Sequence, residues 1–212
     1  MLKWLLILLP TLVFADIGLI SEFRGNGEIL RENSTDKLLA ELALDIFPND
    51  DVRTGNGRIA IKFTDDTEVR LTEHSKLVIT EYIFNPNKLD TGKLSLNFVK
   101  GTARFISSKN KLIKRENVSI RANGAVIGIR GTDFSISSDE VGRTMVLLLP
   151  NPDGSSSGEI TVTTFAGTVI MNKPFQATVV TVAEQMPTKP VVLTGLTLDF
   201  IDNMLIVNPP EE

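Results

Sequence analysis

The sequence predicts an all-β fold: a single bent-strand β-sandwich or solenoid-like β domain with glycine bulges, plus a short C-terminal helix. Three observations carry this reading. β-branched residues are plentiful and aromatics few, which suits pleated strands. From Gly57 to Leu71, the residues Ile59, Ile61, Phe63, Val69 and Leu71 share one parity while small or charged residues hold the other, the period-two signature of half-buried strands. Three further apolar runs change parity at a Gly-Thr dipeptide: Gly101-Thr102, Gly131-Thr132 and Gly167-Thr168.

Taken in order, the chain opens with MLKWLLILLPTLVFADIGLI. Lys3 supplies a positive start, Trp4 to Phe14 an apolar stretch and Val13-Phe14-Ala15 a cleavage region, so residues 1–15 read as a secretory signal peptide with the mature start at Asp16. The rival is an uncleaved anchor reaching Ile20. The apolar run before Asp16 is shorter than the roughly 20 residues that span a bilayer, and Pro10 and Asp16 weaken it further.

Arg24-Gly25-Asn26-Gly27 is then a polar turn, Lys37 to Leu44 a short helix, and Pro48-Asn49-Asp50-Asp51 a loop leading to Thr54-Gly55. A β-hairpin follows with its turn at Asp65-Asp66, and Leu77 and Ile79 continue the alternation. Leu94, Leu96 and Phe98 give way after Gly101 to Ala103 and Phe105. Ile127 and Ile129 give way after Gly131 to Phe134 and Ile136, and Ile160 and Val162 after Gly167 to Val169 and Met171. One extra unpaired residue shifts every later side chain to the other parity while the same face stays buried, so each site is read as a glycine bulge or corner. Asn85 to Gly92 and Pro150 to Gly158 are loops, the second a flexible tip. Residues 16–186 form the β domain. Residues 187–212 form a proline-punctuated tail in which Leu198, Ile201 and Leu205 have helical spacing.

The 22 basic and 26 acidic residues are scattered, leaving a net charge of −4 and no basic stripe for nucleic acid. The chain has no cysteine, which removes disulfides, thiol redox chemistry and cysteine nucleophiles even in an exported setting.

The ordered segments DVRTG, IAIKFTDDTEVRL, SKLVI, LNFVKGTARF, VSIRANGAVIGIRGTDFSI and TFAGTVIM together resemble the FecR domain family, over roughly residues 45–175. The motif residues that carry the resemblance are Asp51, Thr54, Gly55, Gly101, Arg130, Gly131, Thr132, Asp133, Phe134 and Gly167. The resemblance implies a β module of the periplasm or cell surface, concerned with sensing and protein contact. The apolar segment begins within a few residues of Met1, which makes the chain similar to stand-alone exported members without an anti-sigma arm.

Arg130 is expected to lie on the face away from Ile129 and Phe134, beside Asp133, either pinning the bend or binding a partner. Asp65 and Asp66 are partner-binding candidates or solvated turn residues; their spacing, like that of Asn49-Asp50-Asp51, is not that of an EF-hand. His74, the single histidine, rules out multi-histidine metal sites and sits in a polar turn. The expectation is an exported, non-enzymatic binding or sensing module. It meets an unidentified protein or envelope partner, uses no cofactor or metal, binds no nucleic acid and keeps no membrane span after cleavage. A self-associating envelope scaffold is the alternative, and a hydrolase built on His74 and nearby acids a third.

Overall fold

A computed structural model describes residues 16–32, 34, 36–88, 91–108, 113–114 and 117–205. The expected signal peptide and the final Asn-Pro-Pro-Glu-Glu lie outside them. The strands are β1 Gly18–Arg24, β2 Gly27–Leu30, β3 Lys37–Leu39, β4 Asp45–Ile46, β5 Asp51–Thr54, β6 Arg58–Phe63, β7 Glu68–Leu71, β8 Lys76–Ile83 and β9 Lys93–Ile106. They continue as β10 Val118–Ala122, β11 Ala125–Arg130, β12 Asp133–Ser138, β13 Thr144–Leu148, β14 Glu159–Thr164, β15 Gly167–Met171, β16 Gln176–Val180 and β17 Val191–Val192, followed by helix α1 Leu198–Leu205.

All seventeen strands belong to one open, mixed hydrogen-bonded sheet that does not close into a barrel. Two ladders run through it and meet in β9. The first has the order β4-β1-β6-β7-β9-β12-β13-β16-β17. The second has the order β3-β2-β5-β8-β9-β10-β11-β14-β15, with β9–β10 the one parallel pair among the described residues. The long strand β9 pairs with β8 and β10 in its first half and with β7 and β12 in its second.

The parity changes explain how one strand serves two ladders. Leu77 faces Phe98 while Lys76 faces Lys100, so Val99 is the extra residue, and Gly101 follows with φ +96°. Beyond it the strand has changed partners. A Cβ on Gly101 would run into the Cα of Ser75, so both backbone angle and space call for glycine. Gly131, φ +60°, does the same between β11 of the second ladder and β12 of the first. The chain also crosses between ladders at Gly25-Asn26, at Gly55-Asn56-Gly57 and at Thr72 to Ser75. These crossings look like ordinary turns in the sequence.

The structure departs from two expectations. Gly167 is the first residue of β15 in a hairpin whose turn is Phe165-Ala166, not a bulge or corner. Facing residues such as Ile160–Met171 and Val162–Val169 add to an odd number, so even positions on one strand share a face with odd positions on the other. The Lys37-to-Leu44 segment begins as a strand because Lys37, Leu38 and Leu39 pair with Leu30, Ile29 and Glu28. Tertiary pairing overrides a weak helical propensity, and Ala43 at φ +63° stands outside any right-handed helix.

Both ladders bury their inner faces in one core, including Ile20, Ile29, Val52, Ile61, Leu77, Phe98, Phe105, Ile127, Phe134 and Val162. A smaller cluster joins Leu147, Leu149 and Ala177 to Ile201 and Leu205 of α1. The expected helix therefore packs on the outer face of the first ladder, and β17 extends that ladder by pairing with β16.

Candidate functional sites

Each ladder carries one notable row of outward-pointing residues, set by register. On the first ladder, Ala60, Arg70, Arg104, Ser135, Leu147 and Ala177 face one another across successive strands, charged at one end and apolar at the other. Helix α1 lies over this row. Asp202 forms an ion pair with Arg104, while Ile201 and Leu205 sit among Leu147, Leu149 and Ala177. Arg58 secures the end of the helix by donating to the Met204 carbonyl at 2.9 Å.

Arg104 is buried, and its fork also donates to Asp133, Nε to Oδ1 at 2.9 Å and Nη2 to Oδ2 at 2.7 Å. Burial alone would make the guanidinium easier to deprotonate, but the two carboxylates more than reverse this and hold the proton more tightly than usual. Asp133 is thus taken by Arg104 and not by Arg130, which is exposed and pairs with none of the described acids. In the rest of the motif, Thr132 N–H donates to Ser107 Oγ at 2.9 Å, and Phe134 packs against Phe105 with ring centres 5.5 Å apart. Ser157 ties the expected flexible loop to this corner: it accepts from Asp133 N–H at 3.1 Å and donates to the Leu149 carbonyl at 2.6 Å. A cleft of about 410 Å³ lies between this loop, the corner and α1.

On the second ladder the corresponding row is Leu39, Glu28, Arg53, Lys76 and Lys100, aligned across β3, β2, β5, β8 and β9. Neighbours Ile29, Val52 and Leu77 point the other way into the core. The row lines an open groove of about 510 Å³, walled by Asn26, Thr54, Gly55 and His74. Asp51 braces it from β5, accepting from Arg53 Nε at 3.1 Å and Nη2 at 2.7 Å, with Lys76 Nζ at 3.2 Å. Burial would raise the Asp51 pKa, but the hydrogen bonds from Arg53 and Lys76 carry it below the usual carboxylate value. Its neighbour Asp50 points inward and goes the other way. Burial raises its pKa, only partly opposed by the Phe47 N–H and by Arg31.

The remaining candidates divide. Thr54 is a clip between corners: its hydroxyl donates to the Thr72 carbonyl at 2.6 Å and accepts from Ser75 N–H at 2.8 Å. Gly55 donates through N–H to the Asn26 carbonyl and accepts from His74 N–H. His74, φ +56°, is exposed on the groove wall, and its ring makes no hydrogen bond among the described residues. Asp65 is not a solvated turn residue. It is buried, accepting from Thr67 N–H and Oγ1 and from the Tyr82 hydroxyl, so it shapes the hairpin and is closed to a partner. Asp66 is exposed at the same turn with φ +66° and pairs with Lys62 at 3.3 Å. No three His, Asp or Glu side chains gather as a metal site among the described residues.

Sequence reasoning passed over Arg104, Lys76, Lys100 and Asp202. Arg104 had a visible signal, a lone cation inside the apolar run GTARF. The three-cation row had none, because its members are brought together by strand pairing from 23 to 47 residues apart.

Bent strands shared between two ladders, with motif residues at the crossings, define an all-β scaffold. Residues 50–170 match the family model described as FecR protein, over half of the chain, so the protein belongs to the FecR family. No curated protein matches the chain. No helix among the described residues is long and apolar enough to cross a membrane.

Proposed function

We propose that this protein is an exported, non-enzymatic FecR-family binding and sensing module that meets a protein partner in the cell envelope. Family membership supports a sensing or regulatory role. The apolar leader of residues 1–15 supports export. The observation that carries partner contact is β15, the terminal strand of the second ladder. It pairs only with β14 among the described residues, and Ile170 on it and Phe165 at its turn are 54% and 88% exposed. An unpaired strand edge with apolar side chains is a template for main-chain pairing with another chain.

Crosslinking and pull-down from envelope fractions test this. A defined heterologous partner captured by the wild type and lost with Ile170→Pro supports the reading, whereas capture that is insensitive to this change removes the edge from it. The same edge admits a second reading, self-association into an envelope scaffold. Light scattering that finds only higher oligomers, with no heterologous partner, favours that reading.

A further inference from the structure

The two outer rows invite a direct comparison. On the first ladder the chain covers its own row with α1, an acid meeting the arginine and two apolar side chains meeting the apolar end. The second ladder's row has a similar composition, cations with Leu39 at one end, and none of the described residues covers it. Leu39 is 81% exposed.

Its charges are poorly balanced. Arg53, Lys76 and Lys100 stand on adjacent strands about 4.8 Å apart, and like charges placed directly opposite destabilise a sheet. Asp51 is shared between Arg53 and Lys76. Glu28 is shared between Lys37 at 3.0 Å and Arg53 at 3.7 Å. Among the described acids Lys100 reaches only Glu140, at 3.9 Å, and Glu140 is itself almost wholly in solvent. The row thus holds cations at fixed spacing on a rigid sheet, half shielded in a groove, with the Asn26 side chain and the His74 ring free of hydrogen bonds among the described residues. Because the Arg53 fork is already engaged by Asp51, no planar clamp for a phosphate remains, and Lys76 and Lys100 act as point charges.

The geometry points to a second binding site: the groove over Arg53, Lys76 and Lys100 takes an acidic peptide segment of a partner protein, carboxylates over the cations and an apolar side chain against Leu39. It plays for the second ladder the part that α1 plays for the first. This site does not depend on the β15 edge, which lies at the opposite end of the same ladder.

Fluorescence anisotropy with a labelled peptide of alternating Glu and Asp around a single Leu tests it. The purified protein is expected to bind that peptide, to lose affinity about tenfold on raising salt from 50 to 500 mM, as exposed charge pairs are screened, and to ignore a peptide in which Lys replaces every acid. Lys76→Glu with Lys100→Glu is expected to weaken binding at least about tenfold. The milder Lys100→Gln, checked by thermal melt, keeps the test valid if the double variant is unstable. Failure of the acidic peptide to bind, or binding unchanged by both variants, overturns the proposal. So does an acidic oligosaccharide or inorganic phosphate that displaces the peptide at lower concentration. Ile170→Pro is expected to leave this binding intact, which separates failure of the groove from failure of the edge.

Discussion

Arg104 and Arg53 occupy comparable positions, each outward on a central strand with buried residues on either side in sequence, and they meet opposite fates. Arg104 lies under a helix and is held by two carboxylates, Asp133 from the next strand and Asp202 from far along the chain. Arg53 lies in an open groove, shares its carboxylate with a lysine and has a second lysine one strand further on. A cation enclosed with its partners makes the fold depend on them, because removing one leaves an uncompensated buried charge. A cation left in the open contributes little to stability and remains available for binding. The same β-row geometry therefore yields a structural latch on one face and a receptive surface on the other.

The crossings hold both rows in register, and breaking the one at Gly101 is expected to have the largest effect. Gly101→Ala adds a left-handed backbone penalty to a collision with Ser75, and about 4 kcal/mol of stability should be lost in chemical denaturation. Gly131→Val puts a β-branched side chain at φ +60°, a left-handed backbone position, so about 2 kcal/mol or more is expected to be lost. A melt unchanged by either substitution would show that the crossings do not set the fold.

Asp133→Ala probes the closed row. It strands the Arg104 guanidinium with the more exposed Asp202, and about 3 kcal/mol should be lost. If Arg104 were as indifferent to its partners as an open surface cation, the loss would fall below about 1 kcal/mol.

Asp51→Asn sharpens the contrast through pH. The folded-state pKa of Asp51 lies below its unfolded value, so its contribution is complete above the ordinary Asp value of about 3.9 and is lost as pH falls through the lowered value. The variant should therefore be less stable than wild type at neutral pH, by about 1 kcal/mol, with the gap closing below about pH 4. A gap that persists in acid would assign the effect to packing. The smallest effect is expected for Lys100→Gln: a change within about 0.5 kcal/mol, tending towards stabilisation because it removes one of three adjacent like charges. A clear loss would mean that this cation serves the fold and not a ligand.

Much of the fold was legible because burial of one strand face imposes alternation on the chain. The Arg58-to-Leu71 hairpin, the parity changes at Gly101 and Gly131 and the α1 segment could all be read in this way. Gly167 produced the same parity signal for a different reason, since a two-residue hairpin and a bulge both exchange odd for even. Asp65 looked like any turn aspartate, and only the arrival of Tyr82 from β8 encloses it. The partner of Asp133 was misplaced for a related reason. Arg130 is close in sequence, but Arg104 is brought alongside by the pairing of β9 with β12.

The sequence by itself determined the strand-rich class, the glycine positions where β9 and the β11–β12 segment turn, the cysteine-free core and the kinship, because these depend on local angles and on a period of two along the chain. Tertiary structure alone decided which charges became neighbours and which were covered. Strand order and register bring residues tens of positions apart within reach of one another, and whether a helix then lies over them is not encoded in any local pattern.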